Sequence, residues 1–197
     1  MFLNHNDIER ALEAVGQLLE AEDFDYAIVI IGGAALNLLG IVARTTQDVD
    51  ILAVSPKAGT GALERPPSPL PDPLARAISQ VARDFGLPAT WLNAEPAGQW
   101  DLGLPDSLAS RVRWREFGSL AVGIADRLDL IFFKLEASAD QPTADSRHFR
   151  DLIALQPSVG ELDAASKWAR EKNVGPEFHD ILKKVISHVS IALGRSG

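Results

Sequence analysis

Residues 44–52 read RTTQDVDIL. Side chains alternate faces along a strand, so Asp48 and Asp50 point one way while Val49 and Ile51 point the other. Two like charges about 6–7 Å apart on one sheet face repel each other. A bound cation would remove that conflict. Just upstream, YAIVII at 26–31 is a short apolar run rich in β-branched residues, the pattern of a strand buried on both faces. Gly32-Gly33 ends it, AALNLLG reads as a helix ending near Gly40, and DVDILAV at 48–54 reads as the second strand.

A Gly-Gly turn after a buried strand lets the backbone approach a ligand, because no Cβ intervenes. It also opens a helix, whose free N–H groups and positive dipole end suit phosphate. Taken alone, the glycines are equally explained by strand-to-helix packing, and two acids by an exposed strand end. Together they form a phosphate-binding turn followed, fifteen residues after Gly33, by an acid pair. Magnesium takes oxygen ligands and commonly uses one or two carboxylates, with phosphates and water completing its shell. The pairing predicts a Mg²⁺–nucleotide triphosphate site.

Outward from this block, residues 6–22 carry apolar side chains at helical spacing (Ile8, Leu12, Val15, Leu18, Leu19), with Asn6 as the expected N-cap. Residues 55–72 hold five prolines and two glycines and are expected to form a mobile loop. Residues 73–85 return to helical periodicity, ATWLN and SLAVGI read as strands, and Asp126 is placed to cap a helix through RLDLIFFKLEA. Three further helices are expected over SRHFRDLIALQ, VGELDAASKWAREK and GPEFHDILKKVISHVSIAL, the last with Pro176 near its start. The order predicts an α/β fold: a mixed sheet flanked by helices (1–125), then a helical C-terminal part packed on that core (126–197).

Composition narrows the chemistry. The chain has 197 residues, 46% hydrophobic and 23% charged, which suits a globular core. It has no cysteine, excluding disulfides, thiolate-bound zinc and a thiol nucleophile, in keeping with a reducing cytoplasm. MFLNHNDIER has neither a basic n-region nor an apolar h-region, so no secretory signal is expected. The apolar stretch at 26–43 is interrupted by glycines and an asparagine, favouring a strand and helix over a membrane span. A net charge of -8 argues against unspecific nucleic-acid binding. Arg111, Arg113 and Arg115 recur at period two, either on an exposed strand face or as a phosphate-contacting ridge. His5, His148, His179 and His188 lack metal-ligand spacing and read as surface residues.

GGAALNLLG…RTTQDVDIL resembles the signature of the nucleotidyltransferase superfamily, the polymerase-β-like fold: a Gly-Gly turn, then an acid-x-acid strand. Its Arg-x-Thr-x-Asp-x-Asp form, with Arg44, Thr46, Asp48 and Asp50, is similar to the AbiEii and MenT toxin-type branch. LDLIFFKLEA looks like that branch's lysine-bearing helix, with Lys134 in the lysine position, and RHFRDLIAL resembles its Arg-Asp-Leu-x-x-Leu helix. The resemblance implies Mg²⁺ on Asp48 and Asp50, the triphosphate at Gly32 and Gly33, phosphate neutralisation by Lys134, and Asp151 completing the site. Lys is a point-charge phosphate binder, consistent in type. From the residues alone, Lys134 also reads as a snorkelling helix lysine, Asp151 as the i,i+4 partner of Arg147, and Arg44 either as a phosphate contact or as a tie for its loop. Many superfamily members carry a third acid on a neighbouring strand; here TWLN ends in Asn93, which brings no charge. The implied activity is transfer of an NMP from an NTP to an acceptor hydroxyl, with a tRNA 3′ end as acceptor and an antitoxin as partner in the toxin branch. A small-molecule nucleotidyltransferase and a non-catalytic nucleotide-binding module are the alternatives.

Overall fold

The computed structural model describes residues 3–140 and 146–195. The chain divides into two compact units, Met1–Asp126 and Arg127–Gly197. The first runs α1 (His5–Ala21), β1 (Tyr26–Ile31), α2 (Gly32–Leu38), β2 (Val49–Ser55), α3 (Asp72–Phe85), β3 (Leu92–Asn93), a 3-10 turn (Glu95–Gly98), α4 (Gln99–Leu102), α5 (Leu108–Arg111), β4 (Arg113–Phe117) and β5 (Leu120–Ile124). The strands form one mixed sheet in the order β3-β2-β1-β5-β4, so the apolar run at 26–31 is the central strand. β1 is antiparallel to β2 and parallel to β5. Ile28, Val29 and Ile30 are fully buried, and each such side chain contributes roughly 1.5–3 kcal/mol of apolar burial.

α1 is capped two residues earlier than expected, by Asn4 rather than Asn6. Asn4 Oδ1 accepts from the Asp7 N–H (3.0 Å) and Asp7 Oδ2 accepts from the Asn4 N–H (3.1 Å), a reciprocal capping box. α1 lies against the β4–β5 turn at Gly16. A Cβ there would stand 1.6 Å from the Phe117 carbonyl oxygen, so only glycine permits this approach. Arg115 on the same sheet face donates to Glu9 of α1 (2.5 Å).

One irregularity decides which face carries the acids. Val29 pairs with Ala53, but Ile30 pairs with Ile51, so Leu52 is an extra residue in β2. Paired residues share a face. Following the pairs outward, Phe117, Arg115, Val122 and Ile28 lie on the α1 face, while Glu116, Ala121, Ala27 and Ser55 lie on the other. Unbroken alternation from Ser55 would put Asp50 on the α1 face; the extra residue moves it to the opposite one. The Leu52 carbonyl accepts from Trp100 Nε1 of α4 (2.7 Å), which satisfies a polar group beyond the two-residue β3 edge.

Of residues 55–72, expected to form a mobile loop, Ser55 ends β2, Asp72 starts α3, and the stretch between them folds back on β2. Glu64 and Val54 exchange backbone hydrogen bonds (2.8 and 2.9 Å). Ser55 Oγ lies 2.7 and 2.8 Å from the Lys57 and Ala62 carbonyl oxygens. Arg65 binds Asp101 through both carboxylate oxygens (2.6 and 3.1 Å).

The second unit contains α6 (Arg127–Asp140), α7 (Arg147–Ala154), α8 (Val159–Lys172) and α9 (Pro176–Ala192). Its core includes Leu130, Ile131, Leu135, Leu152, Ala165 and Leu182, with Trp168 packed edge-on to Phe133. Ser158 and Glu161 form the capping box of α8. Among the described residues, no helix is long and apolar enough to cross a membrane.

Candidate functional site

β1 delivers the chain to Gly32, whose φ of +75° is a left-handed conformation that side chains resist. Asp50 pairs with Ile31 across the ladder. Its carboxylate occupies the room that a side chain at position 32 would need: an ideal Cβ would stand 2.3 Å from Asp50 Oδ2. The second glycine performs the same service for the loop before β2. A Cβ at Gly33 would stand 2.7 Å from Thr46 Oγ1 and 3.5 Å from Arg44 Nη1. Thr46 Oγ1 lies 3.3 Å from Asp48 Oδ1. Gly32, Gly33, Arg44, Thr46, Asp48 and Asp50 therefore gather in one place, the acids half-buried and Thr46 buried.

Among the described residues, no three histidine or acidic side chains cluster to hold a metal. The donors at this site are two carboxylates beside a backbone without Cβ atoms. That set fits Mg²⁺, which accepts one or two protein carboxylates when phosphate and water supply the remaining oxygens.

The loop carrying Arg44, Thr46 and Asp48 is pinned by residues that sequence reading did not single out. Leu3 and Thr46 exchange two backbone hydrogen bonds (2.7 and 2.8 Å). Asn37, a buried amide in an otherwise apolar helix, donates through Nδ2 to the Arg44 carbonyl oxygen. The one available signal was that asparagine inside AALNLL, since a buried polar side chain needs a partner. His5 is not an idle surface histidine: its Nδ1 lies 2.9 Å from the Asn37 carbonyl oxygen and its Nε2 lies 3.2 Å from Glu9 Oε1.

Asn93 stands beside Asp50 in the parallel β2–β3 register. Its amide is turned into its own loop, accepting from the Glu95 N–H (2.9 Å) and donating to the Thr90 carbonyl (3.3 Å). The arginines at 111, 113 and 115 do not form a phosphate ridge. Arg113 donates to Asp126 (2.7 Å), Arg115 to Glu9 (2.5 Å), and Arg111 belongs to α5 rather than the strand. Carboxylates already neutralise the two strand arginines.

In the second unit, Lys134 Nζ and Asp151 Oδ2 form an ion pair at 2.7 Å, with side chains 7% and 1% exposed. Lys134 is thus not a snorkelling lysine, and Asp151 is not on a solvated helix face. Two charges taken so far out of water persist only when paired and hydrogen-bonded.

No protein-family model matches the chain. No curated protein matches it either. Among solved structures, the chain is similar to the crystal structure of an antigenic nucleotidyltransferase-like protein from Paracoccidioides brasiliensis. The two are 17% identical with a TM-score of 0.51, over 100% of this chain and 96% of that one. The class defined at this level is structural: the chain has a nucleotidyltransferase-like α/β fold.

Proposed function

We propose that this chain is a nucleotidyltransferase that moves an NMP from an NTP to an acceptor hydroxyl. The observation that carries the reading is the Asp50 carboxylate seated in the missing-Cβ space of Gly32, with Asp48, Thr46 and Arg44 gathered at Gly33. The shared fold with a nucleotidyltransferase-like protein supports the same class. Asp48 and Asp50 would hold Mg²⁺, which when bound supplies neutralisation of triphosphate charge. Gly32 and Gly33 leave room for the Asp50 carboxylate and Thr46 Oγ1, which seats the acid pair at the turn that, by the resemblance, would meet the triphosphate. Arg44 contributes a guanidinium fork suited to phosphate, and Thr46 orients Asp48. Lys134 and Asp151, which the resemblance adds to the site, pair with each other in the second unit. In the reaction, the acceptor oxygen bonds to the α-phosphorus, pyrophosphate leaves, and the hydroxyl proton passes to water. Positioning and electrostatics carry most of such catalysis.

The toxin-like resemblance narrows the acceptor to a specific RNA end, such as the 3′ end of a tRNA, and implies an antitoxin partner. The net charge of -8 supports selective rather than bulk RNA binding. A second reading, a nucleotide-binding module without catalysis, is favoured by Asn93: the residue beside Asp50 is neutral and committed to its own turn.

Incubation with each labelled NTP and total RNA separates the two. Wild type should label an RNA species only with magnesium, and Asp50→Asn should label none while remaining at least as heat-stable without metal. A wild-type protein that binds NTP but labels no RNA, protein or small-molecule acceptor would overturn the enzyme reading in favour of the module.

A further inference from the structure

His5 stands between two oxygen atoms. Its Nδ1 faces the Asn37 carbonyl at 2.9 Å and its Nε2 faces Glu9 Oε1 at 3.2 Å. A carbonyl only accepts, and so does an ionised carboxylate. Arg115, hydrogen-bonded to the same Glu9 oxygen at 2.5 Å, holds the Glu9 carboxyl below its ordinary range, against the opposing pull of burial. Glu9 therefore stays ionised at neutral pH. A neutral imidazole has one N–H, so it can satisfy only one of these two contacts and must turn a lone pair toward the other oxygen. Only the imidazolium satisfies both. The Asn37 carbonyl also receives the Gly40 N–H at the C-terminal end of α2 (2.9 Å), where a cation is favoured.

Asn37 carries the effect onward, since its side chain holds the Arg44 carbonyl. Two residues away in each direction, Leu3 and Thr46 exchange their backbone hydrogen bonds. The N-terminal segment and α2 thus grip the Arg44–Asp48 loop from two sides, and His5 joins the two grips. The charged groups facing His5 are Glu9 directly and Arg115 through it.

We infer that His5 and Asn37 are positioning residues for the Arg44–Asp48 loop, and that protonation of His5 tightens this loop and, with it, nucleotide binding. The nucleotide part rests on the function proposed above; the loop part does not. The coupling is stronger with the imidazolium, which donates to both oxygens, and weaker with the neutral ring, which donates to one.

Amide hydrogen exchange on the full chain without nucleotide tests the loop. After correction for intrinsic rates, protection at residues 44–48 should fall about fivefold from about pH 6 to about pH 8, the value of roughly one hydrogen bond. Val15 in the middle of α1 should not change, which separates the effect from unfolding. Glu9→Gln should flatten the dependence, because an amide both donates and accepts and so serves neutral and charged His5 alike. His5→Phe should leave the loop weakly protected at every pH. Binding of each of the four magnesium NTPs should follow the same pH profile and flatten in Glu9→Gln. Protection that is independent of pH, or equally dependent in Glu9→Gln, overturns the inference. So does nucleotide affinity that ignores a pH-dependent loop. If the loop responds as expected and no NTP binds at any pH, the loop coupling stands and the nucleotide-site reading falls.

Discussion

Replacing Gly32 with alanine should weaken the fold modestly and disable the site severely. Two costs can be read from the structure. The first is backbone: a φ of +75° costs an L-residue roughly 1–2 kcal/mol. The second is the Asp50 carboxylate, whose Oδ2 would lie 2.3 Å and Cγ 3.3 Å from the new Cβ. Asp50 Cβ at 3.6 Å is in ordinary contact, so the carboxylate end can swing away without moving β2. An off-rotamer side chain costs roughly 0.5–1.5 kcal/mol. The total, about 2–3 kcal/mol, is below the usual stability of a domain, so the variant should fold. The displaced carboxylate, however, no longer stands at the glycine turn, and misplacement by about 1 Å commonly costs about a hundredfold in activity. A double-mutant cycle isolates the second cost. In an Asp50→Ala background the clash is gone, so Gly32→Ala should cost only the backbone part, leaving a coupling of about 1 kcal/mol. Denaturant unfolding of the four proteins measures it, and magnesium-dependent NTP binding of Gly32→Ala gives the functional arm. Equal costs in both backgrounds, or unchanged NTP binding in Gly32→Ala, would refute the packing argument.

In the second unit, Lys134→Met should destabilise by about 3–5 kcal/mol because it removes the buried counter-charge of Asp151. Adding Asp151→Leu should cost far less than that change alone; additive losses by denaturant titration would count against the pair as a unit. The Arg127–Glu161 pair sets an acid-range dependence. Arg127 grips both Glu161 oxygens (2.6 and 3.2 Å), and chiefly this hydrogen bonding lowers the carboxyl from 4.5 to about 2. A depressed carboxylate stabilises fully above its unfolded value and loses that contribution as pH falls toward its folded one. With partial exposure discounted, about 1–2 kcal/mol should vanish between about pH 4.5 and about pH 2. Glu161→Gln should show a shallower loss over that window in thermal unfolding monitored at successive pH values.

Much of the fold could be read locally. The β-branched run at 26–31, the glycine break, the acid-x-acid strand and the helical periodicities each express a preference of a few neighbouring residues. The structure places strands and helices close to those positions, with the sheet's central strand where the apolar run lies. The approach of the two glycines to the acid strand was legible for the same reason, since the turn and the strand are separated by one short helix and loop. What tertiary structure alone decided depends on pairing between distant residues. The extra residue at Leu52 sets the face of Asp50, and it exists only relative to β1. Arg113 and Arg115 read as candidates for phosphate until Asp126 and Glu9 meet them across the fold. Asn93 resembles a substituted third acid in the sequence, yet its amide closes its own turn. Lys134 and Asp151, and likewise His5 and Asn37, are separated by 17 and 32 positions, beyond the reach of periodicity. A side chain's charge and hydrogen-bonding capacity belong to the sequence; which oxygen or guanidinium it meets is settled by strand register and by the desolvation that makes an unmet partner costly.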